Sequence, residues 1–316
     1  MRFLITGGAG FLGAALANRL VDDGHNVRAL DDLSNGNKEA LSESVHFTRG
    51  DVNNIPLMWT MLQDVDCVYH LAARVSVAQS ILYPRDYNLC NVGGTVSLME
   101  AMRDAGIRRV VLASSGAIYG EQSQQPVKES DKPHPDSPYA VSKWAAEQYV
   151  HTIGKLWGIE TVALRIFNAY GPGQNLPVSH APVVPRFMEA VVSGGSVVIF
   201  GDGEQSRDFV YVDDVVDALV TTATATEINR QIVNIGSGLE TSINQLIANI
   251  EEVVGSQLPA VRNRDKIGGV RRLVADISLA KNLLLFKPNT SLADGLRLMF
   301  KHDPRFSLEN VHSQHP

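Results

Sequence analysis

Short apolar runs alternate with amphipathic stretches through the first half of the chain. Phe3–Thr6, Asn26–Leu30, Val45–Arg49, Cys67–Leu71, Val110–Ser114 and Thr161–Leu164 read as strands, and Gly13–Asp22 and Val92–Ala105 carry the spacing of helices. Strands that are apolar along their whole length are covered on both faces, as in a parallel sheet. The alternation therefore predicts βαβ units and an α/β fold, a doubly wound parallel sheet with helices on both faces. After Arg165 the texture changes. Ala169–Pro185 is rich in Gly and Pro and reads as loop. A helix (Pro185–Ser193), a short strand (Val197–Phe200), a helix (Val210–Thr222) and a buried strand (Gln231–Ile235) follow, and helices Ser242–Val254 and Ser278–Leu284 close the chain. The polar tail after Pro304 is expected to be mobile. This organisation predicts a large domain over 1–167, to which the segment 208–236 returns, and a smaller C-terminal α/β domain over 168–316.

The net charge of −6 argues against a nucleic-acid or anionic-membrane partner, so an anionic ligand must be held by a few placed cations. Cys67 and Cys90 match no metal or redox spacing and read as two buried, reduced thiols, with no metal expected. The chain opens directly on a strand, and no apolar run reaches the roughly 20 residues of a membrane span, so a cytoplasmic protein is expected.

The first strand runs into Thr6-Gly7-Gly8-Ala9-Gly10-Phe11-Leu12-Gly13, and a helical pattern begins at once. One glycine permits the tight turn, another lets backbone amides approach a pyrophosphate, and Gly13 lets helix and strand pack closely. The helix N-terminus then presents its unpaired N–H groups to a diphosphate. The second strand ends at Asp31-Asp32, about 20 residues on, where such units place a carboxylate for the adenosine ribose. A carboxylate there repels a 2′-phosphate and no Arg adjoins it in the sequence, which selects NAD over NADP. Other nucleotide loops or a purely structural turn are the competing readings.

The strand Val110–Ser114 runs out at Ser115, at the edge where open parallel sheets bind ligands. Downstream, Tyr139 and Lys143 stand four apart at the start of a helix and share a face. A free tyrosine has a pKa of about 10 and is a poor base. A lysine ammonium and an oxidised nicotinamide are expected to lower it, so that the phenolate takes a proton from a substrate hydroxyl while hydride moves to the cofactor. Ser115 is expected to hydrogen-bond the same oxygen. A lone pair of this kind is usually only a solvated ion pair; the glycine loop and serine strand end in the right order carry the catalytic reading.

These residues resemble the extended short-chain dehydrogenase/reductase family, in its nucleotide-sugar epimerase and dehydratase branch. The resemblance covers about residues 1–300. It rests on the glycine loop, Asp31-Asp32-Leu33, Gly50-Asp51-Val52, His70-Leu71-Ala72-Ala73, Asn91-Val92-Gly93-Gly94-Thr95, Ser114-Ser115-Gly116-Ala117-Ile118-Tyr119-Gly120, Tyr139 with Lys143, Gly201-Asp202-Gly203 and Arg207-Asp208-Phe209-Val210-Tyr211-Val212-Asp213-Asp214. It implies a Rossmann domain that binds NAD through Gly7, Gly10, Phe11, Leu12, Asp31, Asp32, Ser34 and Asn35. Asp51 and Val52 are implied to border the adenine, and Leu71, Ala72, Ala73, Asn91, Tyr139 and Lys143 to line the cofactor. Ser115, Tyr139 and Lys143 are the implied catalytic set. Asn168, Arg207 and Lys266 are implied to hold the sugar diphosphate and Val183 and Phe200 to flank the nucleobase. A homodimer is implied, paired through helices Val92–Ala105 and Val141–Gly154.

Two departures stand out. Where the family often carries Arg-Pro-Gly-Asp, this chain has Lys266-Ile267-Gly268-Gly269, which keeps a cation but loses the guanidinium fork and an acid; Arg271 and Arg272 lie close by in sequence. His180, in the loop Pro177–Pro182, is within reach of the implied sugar on this reading, but an incidental loop histidine is the favoured interpretation. Three functions are open. The first is a UDP-hexose 4-epimerase acting on UDP-glucose, UDP-galactose or their N-acetyl forms through a transient 4-keto sugar. The second is another reaction of the scaffold, such as 4-epimerisation or decarboxylation of UDP-glucuronate or 4,6-dehydration. The third is a non-catalytic nucleotide-sugar or NAD sensor. Dehydratases of the branch carry an Asp-Glu pair where this chain has Gly116 and Ala117, and decarboxylases a Glu in the same segment; Gly and Ala transfer no protons, which favours epimerisation. Small residues there are also expected to leave room for the keto sugar to turn over. Leu273, where a Tyr would exclude bulky substituents, predicts tolerance of an N-acetyl group.

Overall fold

A computed structural model describes residues 1–177, 181–263 and 269–306. Six strands appear in the first half: β1 (Arg2–Thr6), β2 (Asn26–Asp31), β3 (His46–Arg49), β4 (Cys67–His70), β5 (Arg109–Ser115) and β6 (Glu160–Ile166). Between them lie α1 (Phe11–Asp22), α2 (Ile55–Met61), α3 (Val77–Leu82), α4 (Pro84–Tyr87), α5 (Gly94–Ala105) and α6 (Pro138–Trp157). The second half contributes β7 (Asn168–Tyr170), α7 (Val183–Val192), β8 (Val197–Phe200), β9 (Ser206–Arg207), β10 (Phe209–Tyr211), α8 (Val212–Thr224) and β11 (Gln231–Ile235). Then come β12 (Thr241–Ser242), α9 (Ile243–Val254), β13 (Ala260–Asn263), β14 (Arg272–Leu273), α10 (Ser278–Leu284) and α11 (Leu292–His302).

Seven strands form one parallel sheet in the order β11-β6-β5-β4-β1-β2-β3. This is the expected doubly wound α/β fold. Because successive side chains of a strand point to opposite faces, Phe3 and Ile5 enter a core shared with α1 and α8 while Leu4 enters one shared with α2 and α5. The edge strands depart from whole-length burial: β3 has no buried residue and β11 is only half-buried at Gln231 and Ile232. Short pairs β7–β10 and β8–β13 and the triplet β12-β9-β14 build the rest.

Several local expectations change. The helix read from Val92 is preceded by a π-helical turn, Asn88–Gly93, and becomes α-helical at Gly94. The stretch read as loop over Ala169–Pro185 holds part of β7 and the start of α7. The chain does not close with Ser278–Leu284, because α11 follows, capped by Ser291, whose hydroxyl accepts from the Asp294 amide. Nor is the tail mobile immediately after Pro304. Phe306 is fully buried, and Arg305 pairs with Asp303, which also accepts the Gly173 amide at 3.0 Å. Among the described residues no helix is long and apolar enough to cross a membrane.

The tightest approach in the fold is at the first βα turn. A Cβ on Gly13 would meet the Gly7 carbonyl oxygen at 2.1 Å and Gly8 Cα at 2.8 Å, all backbone, so nothing flexible yields. Gly13→Ala is therefore expected to destabilise the protein by about 2 kcal/mol or more, the scale of overpacking. Urea unfolding checks it: the midpoint falls at unchanged slope, and an unmoved midpoint refutes the account.

Candidate active site

Strand order reverses between β1 and β4, and ligands of open α/β sheets bind outside the carboxyl ends at that point. A cavity of about 1030 Å³ opens there, lined from both halves of the chain. Gly7, Gly10, Phe11 and Leu12 line it. Gly7 has φ +70°, and a Cβ would strike the Ala72 amide nitrogen at 2.6 Å, so only glycine fits the turn. The N-cap of α1 is Gly10, which offers no capping side chain, so the first N–H groups of the helix are available to an anion. That is the cradle a dinucleotide pyrophosphate requires.

Asp31 ends β2 at the same cavity. Its carboxylate accepts the Ala9 amide at 3.0 Å and the Leu33 amide at 2.9 Å, which ties the end of β2 to the glycine loop. Burial pushes its pKa up, and these backbone donors oppose the rise. Asp32, Ser34, Asn35, Asp51, Val52, Leu71, Ala72 and Ala73 also line the cavity. No Arg adjoins Asp31 in sequence, but β3 brings Arg49 alongside in space. Its Nε donates to the Asp32 carbonyl at 3.3 Å, and the side chain does not line the cavity.

Asn91 is placed differently from what the resemblance implied. It is buried behind the wall, where its side chain accepts the Arg74 amide (2.8 Å) and donates to the Arg74 carbonyl (3.0 Å) and Ser142 Oγ (2.9 Å). It shapes the wall through Arg74, which does line the cavity. Its neighbour Cys90 takes the lining position, half-buried, so only Cys67 is the fully buried thiol expected.

The three catalytic candidates converge. Ser137 caps α6 by accepting the Ala140 amide, Pro138 occupies the first turn, and this start sets Tyr139 and Lys143 on the cavity face. Ser115, at the end of β5, stands beside Tyr139 and accepts the Ala117 amide at 3.2 Å. All three are at least nine-tenths buried and line the cavity. Burial pushes the Lys143 ammonium down to about 8, with Cys90 and Glu147 opposing the fall. Tyr139 is shifted upward, not downward as expected: burial dominates, and Ser115 beside it only partly offsets the rise. A positive charge placed beside the phenol opposes this upward shift.

The other half of the cavity is lined by Asn168 and Arg207. Asn168 donates to the Asp208 carbonyl at 3.0 Å, and burial lowers the Arg207 pKa against the pull of Glu121 and Asp136. Phe167, Val270 and Leu273 form an apolar wall. The expected room at Gly116 is reduced: the Phe167 ring lies over it, and a Cβ there would meet the ring at 3.1 Å. Val183 and Phe200 do not line the cavity, although Pro182, next to Val183, does. Arg272 pairs with Glu240 at 2.6 Å, and neither it nor Arg271 lines the cavity. Lys266 and His180 lie outside the described residues. The sequence reading missed Gln174 and Asn175, which follow β7 and line the cavity; the Asn175 side chain donates to the Asn35 carbonyl across its mouth. Their signal was the break in periodicity after Tyr170, which was read only as loop.

Residues 3–236 match the NAD dependent epimerase/dehydratase family. A UDP-glucose 4-epimerase of Mycolicibacterium smegmatis is 39 % identical over 94 % of this chain and 96 % of its own length. The crystal structure of UDP-glucose 4-epimerase with UDP-glucose from Thermotoga maritima superposes with a TM-score of 0.91 at 36 % identity, covering 96 % of this chain and 98 % of that one. A UDP-N-acetylglucosamine 4-epimerase from Methanobrevibacter ruminantium, in complex with UDP-N-acetylmuramic acid, gives 0.89 at 36 % identity, covering 95 % and 97 %. With the glycine-loop cradle, the Asp31 carboxylate and the Ser115, Tyr139 and Lys143 set around one cavity, the chain belongs to the NAD-dependent epimerase/dehydratase family.

Proposed function

We propose that this chain is an NAD-dependent UDP-hexose 4-epimerase. The observation that carries the reading is one cavity holding both the dinucleotide cradle and the Ser115, Tyr139 and Lys143 set, with Gly116 and Ala117 where a dehydratase carries its acids. Arg207 and Asn168 hold the sugar diphosphate. The Ser115 and Tyr139 hydroxyls hold the C4 oxygen, and Tyr139 takes its proton. Lys143 stabilises the phenolate from the next turn of α6. Bound NAD supplies the hydride acceptor and donor that let the sugar pass through a 4-keto state. Tyr139 returns the proton after the sugar has presented its other face. The apolar wall of Phe167, Val270 and Leu273 gives the turning ring few polar contacts to break.

The reading is tested by incubation with UDP-glucose, UDP-N-acetylglucosamine and UDP-glucuronate without added cofactor, followed by NMR. The C4 epimers of the two neutral sugars are expected. A 4-keto-6-deoxy sugar or a pentose as main product overturns the assignment, a uronic acid as the sole substrate shifts it to a glucuronate epimerase, and no turnover at all favours a sensor. With Leu273 in the wall, kcat/KM for the N-acetyl sugar stays within roughly a thousandfold, about 4 kcal/mol, of that for UDP-glucose.

Tyr139→Phe is expected to lower kcat by about a hundredfold or more, the lower range of general-base effects, with the unfolding midpoint unchanged. Retention of a tenth of the activity excludes Tyr139 as the base. Asp31→Ala is expected to weaken NAD and narrow its advantage over NADP. Calorimetric titration of both cofactors checks this, and tighter NADP binding by the unaltered protein refutes it.

The homodimer belongs to the same proposal. Val141 and Tyr149 are about half exposed along α6, and Ile81, Leu82 and Leu89 stand out beside it, an apolar patch of the kind interfaces cover. Sedimentation equilibrium should find a dimer that Val141→Asp dissociates. A monomer in the unaltered protein excludes it.

A further inference from the structure

Tyr139 and Lys143 share their helix face with a third charged residue. Glu147 follows Lys143 by four positions, as Lys143 follows Tyr139, so the three lie along one stripe of α6. Glu147 has no exposure at all, and Arg165 on β6 is 2 % exposed. Arg165 grips the carboxylate with two donors: Nη2 to Oε1 at 2.7 Å and Nε to Oε2 at 3.1 Å. Ser114 Oγ donates to the same Oε2 at 2.8 Å. Ser114 immediately precedes Ser115 and sits opposite Arg165 in the β5–β6 register. The Arg165 guanidinium stacks 4.7 Å from the Tyr119 ring centre, and Tyr119 in turn donates to Asn234 at 2.7 Å.

We propose that Glu147 is a positioning residue that fixes the Tyr139–Lys143 face of α6 against the Ser115 end of β5. This rests on the catalytic reading of that trio. Apolar packing would hold the helix on the sheet but leave it free to slide or rotate by small amounts. A bidentate, charge-assisted pair has defined directions. One carboxylate is bonded at once to the strand that carries the catalytic serine and to its neighbour, while its backbone belongs to the helix that carries the base. Displacement of reacting groups by about 1 Å costs roughly a hundredfold in rate, so such a lock has a use beyond stability.

The electrostatic surroundings give a second readout. Lys143 is faced by Glu147 on its own helix, by Cys90 on the π-helical turn and by His70 on β4, which burial keeps neutral, its pKa pushed down to about 3. Glu147 faces Arg165 on β6, Ser114 on β5 and His151 further along α6. The Glu147 charge helps Lys143 keep its proton. Without it, the ammonium is lost at lower pH, and the alkaline limb of the activity profile moves down.

Two variants test the proposal in the full-length enzyme with its NAD: Glu147→Gln, and Glu147→Leu combined with Arg165→Met, which removes both charges so that neither stays buried alone. Unaltered enzyme and Tyr139→Phe run alongside with UDP-glucose. Both variants are expected to lose roughly a hundredfold in kcat and to keep KM within about threefold and bound NAD unchanged, and Glu147→Gln is expected to move the alkaline limb down. If Glu147→Gln does not fold, the double variant alone decides. Near-normal kcat in the double variant shows the pair to be charge balance only and overturns the proposal, as does an unmoved alkaline limb in Glu147→Gln. Failure of the unaltered enzyme to turn over overturns the epimerase reading instead.

Discussion

A parallel sheet leaves the carboxyl ends of all its strands along one edge, and helices that cross on opposite faces must part somewhere along that edge. In this protein the parting lies between β1 and β4. Everything chemical depends on it. The glycine turn leaves β1 there, the Asp31 carboxylate ends β2, Ser115 ends β5, and the segment after β6 supplies Phe167 and Asn168. The close approach at Gly13, which admits no Cβ, lets α1 start near enough to the strand for its N-terminus to face the opening.

The second requirement is a dry place for chemistry. Tyr139, Lys143 and Ser115 are almost inaccessible, and burial shifts both titratable groups toward their neutral forms: the tyrosine upward, the lysine down to about 8. The same burial raises the value of direction in the supporting contacts. An ion pair such as Glu147–Arg165 adds little net stability once the desolvation of both ions is counted.

Much of this was legible in the chain itself. Elements with a strong local signal were found: the strands of the sheet core, the glycine turn with its helix, and the tyrosine and lysine one helical turn apart. Each depends on neighbours in sequence, where periodicity and the need for glycine act directly. Elements with weak or short signals were lost, among them α2, α3 and α11, although Ser291 and the apolar positions after it marked the last of these. The burial of Phe306 was not legible, because it depends on partners far away in the chain.

Sequence alone determined which side chains the site has: a carboxylate at the end of β2, a serine at a strand end, a phenol and an ammonium on one helix face, and no acid at Gly116 or Ala117. Tertiary structure decided what surrounds them. It moved Asn91 behind the wall and brought Cys90 to the cavity, filled the space over Gly116 with Phe167, set Arg49 beside Asp32, and closed Glu147 onto Arg165 and Ser114. The physical reason is the range of the forces. Turn geometry and helical spacing act within a few residues, whereas burial and ion pairing depend on which distant strands and helices the sheet brings together.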